Sequence, residues 1–275
     1  MLSLSGQDPS EGSKNNDLDS LIEFTIVSSV SLLDIKSVPS SLSVFQLAGF
    51  TKYIDVFGIH LLSTVNVPDS KLIHIANVLA QYLDNDADGS VDDELILDEL
   101  LERNAFITIV RDDDEYSSLD IDSWESSGFI NGTHVLGDSV MPSDGSFDGA
   151  LEGVLKLIFD TGYSNVYSGT FGLSVGSTIS EYMDNARGGY FKDLPDLYDD
   201  DAWFHNLDEE CDYSCQISKY FYWALTSILG AQEDYCEDVS SEWEPCTSDL
   251  LESTDPDVYS LLTNGEFVVP TKIPD

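Results

Sequence analysis

From Asp84 to Asp92 the chain reads Asp-Asn-Asp-Ala-Asp-Gly-Ser-Val-Asp, with carboxylates at alternate positions and a glycine where the backbone must turn. Acidic side chains at relative positions 1, 3, 5 and 9 can wrap around one point while Gly89 permits the bend, which is what a hard cation with six to eight oxygen ligands requires. The flanks decide what this loop joins. Before it, Pro68-Asp69 marks a helix start, and Leu72, Ile75, Ala76, Leu79 and Leu83 recur at three- and four-residue spacing, as a helix with one buried face demands. After it, Leu95, Ile96, Leu97, Leu100 and Leu101 sit among Asp98, Glu99, Glu102 and Arg103, a second short helix. The pattern predicts a helix–loop–helix over 69–103.

That stretch resembles an EF-hand and, more loosely, the Asp-x-Asp-x-Asp-Gly-x-x-Asp loops of dockerins and thrombospondin-type repeats. The resemblance implies a Ca²⁺ site in which Asp84, Asp86 and Asp88 give side-chain oxygens and Ser90 its backbone carbonyl, with Asp92 acting directly or through water. Val91 falls at position 8, where EF-hands place an apolar residue. The departure is at position 12, where a bidentate Glu is replaced by Leu95, with Glu94 one residue early. Either the loop is one residue short and Glu94 still reaches the ion, or water replaces that ligand and binding falls to about 10⁻⁴–10⁻³ M. The competing account is an Asp/Gly-rich turn held by Asx-type hydrogen bonds, against which the strict alternation argues. No second copy of the loop occurs. With three methionines and no Met-rich helix, a calmodulin-like sensor is not expected.

Charge sets the wider bound. There are 52 acidic residues against 11 basic ones, a net charge of −41, and the acidic clusters recur at 84–102, 112–125, 193–212 and 233–257 rather than in one tail. Such self-repulsion destabilises a compact state at low ionic strength, so the fold is expected to work where salt or divalent cations screen it. Saline extracellular medium, a calcium-rich mineral matrix and a salt-accumulating cytosol all satisfy that condition. Nucleic acid and anionic membranes are expected to be poor partners for such a surface. The most apolar stretch, Tyr220 to Ala231, is too short to span a bilayer. At 42% hydrophobic over 275 residues the chain can bury a substantial core.

The four cysteines, Cys211, Cys215, Cys236 and Cys246, permit two disulfides in three pairings. Neighbouring pairs 211–215 and 236–246 are expected, and a Cys215–Cys236 link is the competing arrangement. The spacing does not match a zinc ribbon, and His205 lies outside the cluster. Asn131-Gly132-Thr133 is a glycosylation sequon in a loop-like stretch, consistent with a secreted, extracellular glycoprotein. The opening residues lack the basic and apolar regions of a signal peptide.

The expected fold class is α+β, predominantly helical with a few strands. Residues 1–19 are expected to be disordered, and 20–275 to form one globular domain with a subdivision admitted near 112–145. Strands are expected over 21–34, within 53–60 and at Ala105–Val110, with a loop over the acidic 112–125. Asp148 is expected to cap a helix that runs to Asp160 and stops at Gly162. Further helices are expected at 177–187, at 215–232 as the centre of the core, and in a short last helix that Thr254-Asp255-Pro256 begins and that runs to Leu262.

The order of these elements is reminiscent of zincin-type metallopeptidases, which carry His-Glu-x-x-His on a core helix. Here that helix reads Leu151-Glu152-Gly153-Val154-Leu155-Lys156, so only the Glu is present, and Glu152 with Lys156 is expected to make a surface ion pair. His60, His74, His134 and His205 are dispersed, with His74 expected in solvent, and no nucleophile elbow or phosphate loop occurs. The run Asp196 to Asp201 is a solvated loop or a second, weaker cation site. The expected function is an extracellular acidic calcium-binding protein without evident catalysis, serving as a structural or mineral-matrix component. The alternative is a metal-dependent hydrolase, or a zincin-derived pseudoenzyme, with structural calcium.

Overall fold

The computed structural model describes residues 34–142 and 147–275. The stretch 1–19 and the strands placed over 21–34 fall, but for Asp34, outside the described residues. A five-stranded mixed sheet runs in the order β1 (Lys36–Ser37), β2 (Phe50–Val56), β3 (Ile59–Thr64), β4 (Phe106–Val110), β5 (Gly132–Leu136). Strands β2 and β3 form an antiparallel hairpin whose turn residues Phe57 and Gly58 both take left-handed φ, 51° and 91°. Strands β3, β4 and β5 are parallel, so each step between them needs a crossover.

A short helix, α1 (Ser43–Leu47), precedes the hairpin, and the first crossover is the predicted helix–loop–helix, α2 (Asp69–Leu83) and α3 (Glu94–Glu102). The second crossover carries α4 (Asp113–Ser117) and α5 (Ile121–Glu125), where a loop was expected. Asp112 accounts for the difference, because its carboxylate accepts the Glu115 N–H at 2.8 Å and caps a helix inside the acidic run. Helix α6 (Gly149–Leu157) follows, then a π-helical turn (Ile158–Tyr163), α7 (Thr178–Ala186), α8 (Tyr213–Ile228), α9 (Ser248–Thr254) and α10 (Pro256–Thr263).

Strand periodicity sorts the core into two. Ile54, Val56, Ile59, Leu61, Ile107 and Ile109 join α2, α6 and α8 in the main core, while Tyr53, Leu62, Phe106 and Val110 face a smaller aromatic cluster. In that cluster the Phe45 ring of α1 stacks on Trp124 of α5 at 5.5 Å. Every residue of β4 is buried, as befits a central strand covered on both faces. Residues 112–136 join the same sheet through β5, a strand where the sequence suggests a loop around the sequon.

Helix α8 fills the core as expected, but it begins at Tyr213, capped by Asp212, and its first turn is tethered by the Cys211–Cys215 disulfide. The second disulfide is Cys236–Cys246, so the neighbouring pairs form. Disulfides form and persist in oxidising environments.

Gly162 does not stop the helix that Asp148 starts. The chain continues through the π turn, and a Cβ built on Gly162 would lie 2.8 Å from Ile96 Cγ2. The glycine is there for close approach of α3. Gly162→Ala should therefore push α3 outward and destabilise the fold by about 1–3 kcal/mol, measured by urea unfolding.

Candidate metal centre

Helix α2 is buried along Leu72, Ile75, Ala76, Leu79 and Leu83, and this fixes where the loop begins. Asp84 stands at its end, only 4% exposed. Its two carboxylate oxygens accept the N–H groups of Asp88 at 3.0 Å and Gly89 at 2.9 Å, drawing the chain into a coil. Asp86 accepts the Asp88 N–H at 3.1 Å, and Asp88 accepts the Ser90 N–H at 2.8 Å. Gly89 takes φ 94°, which favours glycine, and Ala87 is held at φ 60°. The neck is closed by Asp92 N–H donating to Leu83 O at 2.8 Å.

These bonds are the kind an acidic turn makes without any ion. The convergence of the side chains is a different matter. One carboxylate oxygen from each of Asp84, Asp86 and Asp88 lies within 4.8 Å of the others. Two ligands on opposite sides of one Ca²⁺ stand about 4.6–5.2 Å apart, so the trio is no wider than a coordination sphere. Among the described residues no Lys, Arg or His pairs with any of the three. An all-oxygen, anionic donor set suits Mg²⁺, Ca²⁺ or Mn²⁺ and not the softer metals. The trio could hold a metal ion.

The other predicted ligands are placed differently. Asp92 turns back across the loop to accept the Asn85 N–H at 2.8 Å. Partial desolvation, with the charges of Asp86, Asp84 and Asp88 adding to it, raises its carboxyl above the ordinary value against that hydrogen bond. Ser90 is exposed, with its N–H on Asp88. Glu94 is exposed at the first position of α3 and outside the converging trio. Val91 is partly buried against the main core of its own chain.

Two residues that sequence reading passed over hold the loop's ends. Asp93 caps α3, accepting the Leu95 N–H at 3.0 Å, while its other oxygen accepts the Tyr167 hydroxyl at 2.7 Å. Asn85, the residue between the first two aspartates, bonds to the segment 271–272. An Asp immediately before a helical apolar pattern was the available signal for Asp93. Nothing local announced Asn85.

Helix α6 carries leucines where a zincin would place its histidines. Leu151 and Leu155 are buried in the main core. Lys156 pairs with Asp160 and not with Glu152, so the expected surface pair does not form. Burial raises the Glu152 carboxyl above its ordinary value, and nearby Glu242 adds to this against the charges of Lys219 and Lys156. Nor is His74 in solvent, because its Nε2 lies 2.6 Å from Asp148 at the start of α6. The run Asp196 to Asp201 brings no set of three metal-ligating side chains together among the described residues.

No family model, curated protein or solved structure matches the chain.

Asp84 and Asp88 should separate structure from ligation. Asp84→Ala strands the N–H groups of Asp88 and Gly89 and should cost about 1–3 kcal/mol in metal-free thermal unfolding, whereas Asp88→Ala, at an exposed position, should cost well under half of that. A native-state carboxyl raised by burial binds a proton that the unfolded state releases, so its unfavourable contribution is greatest at neutral pH and fades as pH falls through its folded value. Glu152→Gln should accordingly stabilise the protein at pH 7, and denaturant midpoints across pH should show that gain vanishing in acid.

Proposed function

We propose that this is an extracellular, acidic calcium-binding protein in which one ion at the α2–α3 loop acts structurally, of the kind that serves an extracellular or mineralised matrix. The observation that supports this most directly is the convergence of Asp84, Asp86 and Asp88 in an unpaired, all-oxygen cluster between two helices. Calcium is preferred over magnesium because the loop offers side chains and carbonyls from successive positions, as a flexible six- to eight-ligand sphere needs, while Mg²⁺ keeps most of its water. In this reading Ser90 contributes its carbonyl, and Asp92 exchanges its Asn85 contact for the ion or a bound water. Glu94, one residue early, or water completes the sphere.

The position of the loop gives the ion something to do. It interrupts the crossover between parallel strands β3 and β4, so fixing the angle between α2 and α3 also fixes how two helices seat on one sheet. Six carboxylates lie between Asp84 and Glu94, and a bound divalent cation offsets their mutual repulsion. The remaining acidic surface would hold further cations loosely and without fixed geometry. Disulfides and the Asn131 sequon support an extracellular setting, where calcium reaches the concentrations that a weak site requires.

Calorimetric Ca²⁺ titration in about 0.15 M salt, the physiological ionic strength, tests this. The protein should show one saturable site that is absent from the Asp84→Ala/Asp88→Ala variant, and calcium should raise the melting temperature of the parent alone. A calcium-dependent shift of equal size in the double variant would assign the stabilisation to the general acidic surface and remove the site.

A further inference from the structure

The segment that follows α10 crosses the metal loop and is held to both of its ends. Phe267, Val269 and Ile273 pack against the main core, and Pro270 and Pro274 are buried, so the segment has apolar anchors along its length. Between the anchors Asn85 acts as a hydrogen-bonding hub. Its side-chain oxygen accepts the N–H groups of Thr271 at 2.7 Å and Lys272 at 3.0 Å, and its Nδ2 donates to Lys272 O at 2.9 Å. One turn earlier on α2, Gln81 Oε1 accepts the Asp275 N–H at 3.0 Å. At the other end of the loop the Phe267 ring meets Tyr167 at 5.1 Å, and Tyr167 is the residue whose hydroxyl bonds Asp93. Tyr163 of the π turn donates to Val268 O at 2.6 Å.

Asn85 thus faces two ways. Its backbone N–H goes to the Asp92 carboxylate inside the loop, while its side chain goes to the crossing segment outside it. The crossing segment and the Asp92 carboxylate thus share one residue, which stands between Asp84 and Asp86 in the chain.

We propose that residues 267–275 are a strap that holds the loop in its cation-ready shape through Asn85, so that docking of the strap and binding of the cation strengthen each other. This rests on the cation reading above, and it adds Asn85 as the positioning residue of the site. Linkage makes the effect reciprocal: whatever factor the docked strap adds to cation affinity, the cation adds to strap docking. Calcium would then add to the docking of the strap over the loop by the same factor, and lower its exposure to solvent and proteases accordingly.

The test uses the whole chain, with Asn85→Ala and Thr271→Pro as two independent ways of cutting the tie; the first removes the hub, the second an N–H donor on the strap. Calorimetry with CaCl₂ gives affinity, and hydrogen exchange followed by mass spectrometry gives protection of 84–92 and 267–275 with and without calcium. Both variants should bind calcium about tenfold more weakly, within the usual span of coupling between sites. Calcium should slow exchange of 267–275 in the parent and leave it unchanged in the variants. Equal affinities in all three proteins, or calcium that protects the loop without protecting the strap, overturns the linkage while the site itself stands. If the parent shows no saturable site, the cation reading fails and takes the linkage with it; metal-free exchange at 84–92 then reports whether Asn85 ties the loop at all.

Discussion

The burial of α2 is the interaction on which the rest of the described structure depends. Its apolar face lies against Ile54, Leu61 and Ile107 of the sheet and against Leu151, Val154 and Leu155 of α6, all in one core. His74 adds a polar contact across the same helix pair, reaching the Asp148 carboxylate that also caps α6 through the Ala150 N–H at 3.0 Å. Burial works to raise the Asp148 carboxyl, but the hydrogen bonds from His74 and from Ala150 outweigh it and hold it below the ordinary value. The group therefore stabilises the fold above its unfolded value, and that contribution is lost as pH falls through the folded one. Because α2 is fixed over its whole length, the loop leaves it from a defined point in a defined direction, and Asp84, at that point, is held buried with both oxygens bound by the loop's own N–H groups.

Charge explains why such a core is needed. Of the 11 basic residues, Lys52, Arg103, Arg111, Lys156, Arg187 and Lys219 are committed to carboxylate partners, and Lys71 to the carbonyl of Gly137. Arg187 is spent entirely indoors, fully buried between Asp184, Gln216 and the Tyr213 ring. Among the described residues most carboxylates consequently have no basic side chain to answer them. Surface ion pairs contribute little in any case, so apolar burial must carry the fold against its own field.

Where sequence and structure agree, the signal was local and periodic. The apolar spacing of α2, the caps at Asp148 and Asp255, and the β-branched run of β4 are each read within one or two turns of chain. The alternating aspartates likewise carry their own geometry, which is why the trio of the candidate site was legible. The failures share a different cause. Gly132 looks like a turn residue, yet it sits in β5 because a Cβ there would lie 2.2 Å from the Phe106 ring. Gly162 looks like a stop and is a contact. In both, glycine makes room for a neighbour far away in sequence, and no local pattern distinguishes that from a bend. His74 with Asp148, and Asn85 with Thr271, are partners separated by 74 and 186 positions. Such pairs exist only once the fold has formed, so the loop could be found in the sequence and its support could not.

The two disulfides span only 4 and 10 positions. Cross-links that short remove somewhat less freedom from the unfolded chain than long ones would, since the entropic benefit grows, though only slowly, with the loop enclosed. Their constraint is local. Cysteines that close in sequence come into contact in about 10–100 ns, although the covalent bond itself forms over seconds or longer with an oxidant. Neither cross-link therefore ties one sheet strand to another, and the parallel pairing of β3 with β4 rests on the helix–loop–helix threaded between them.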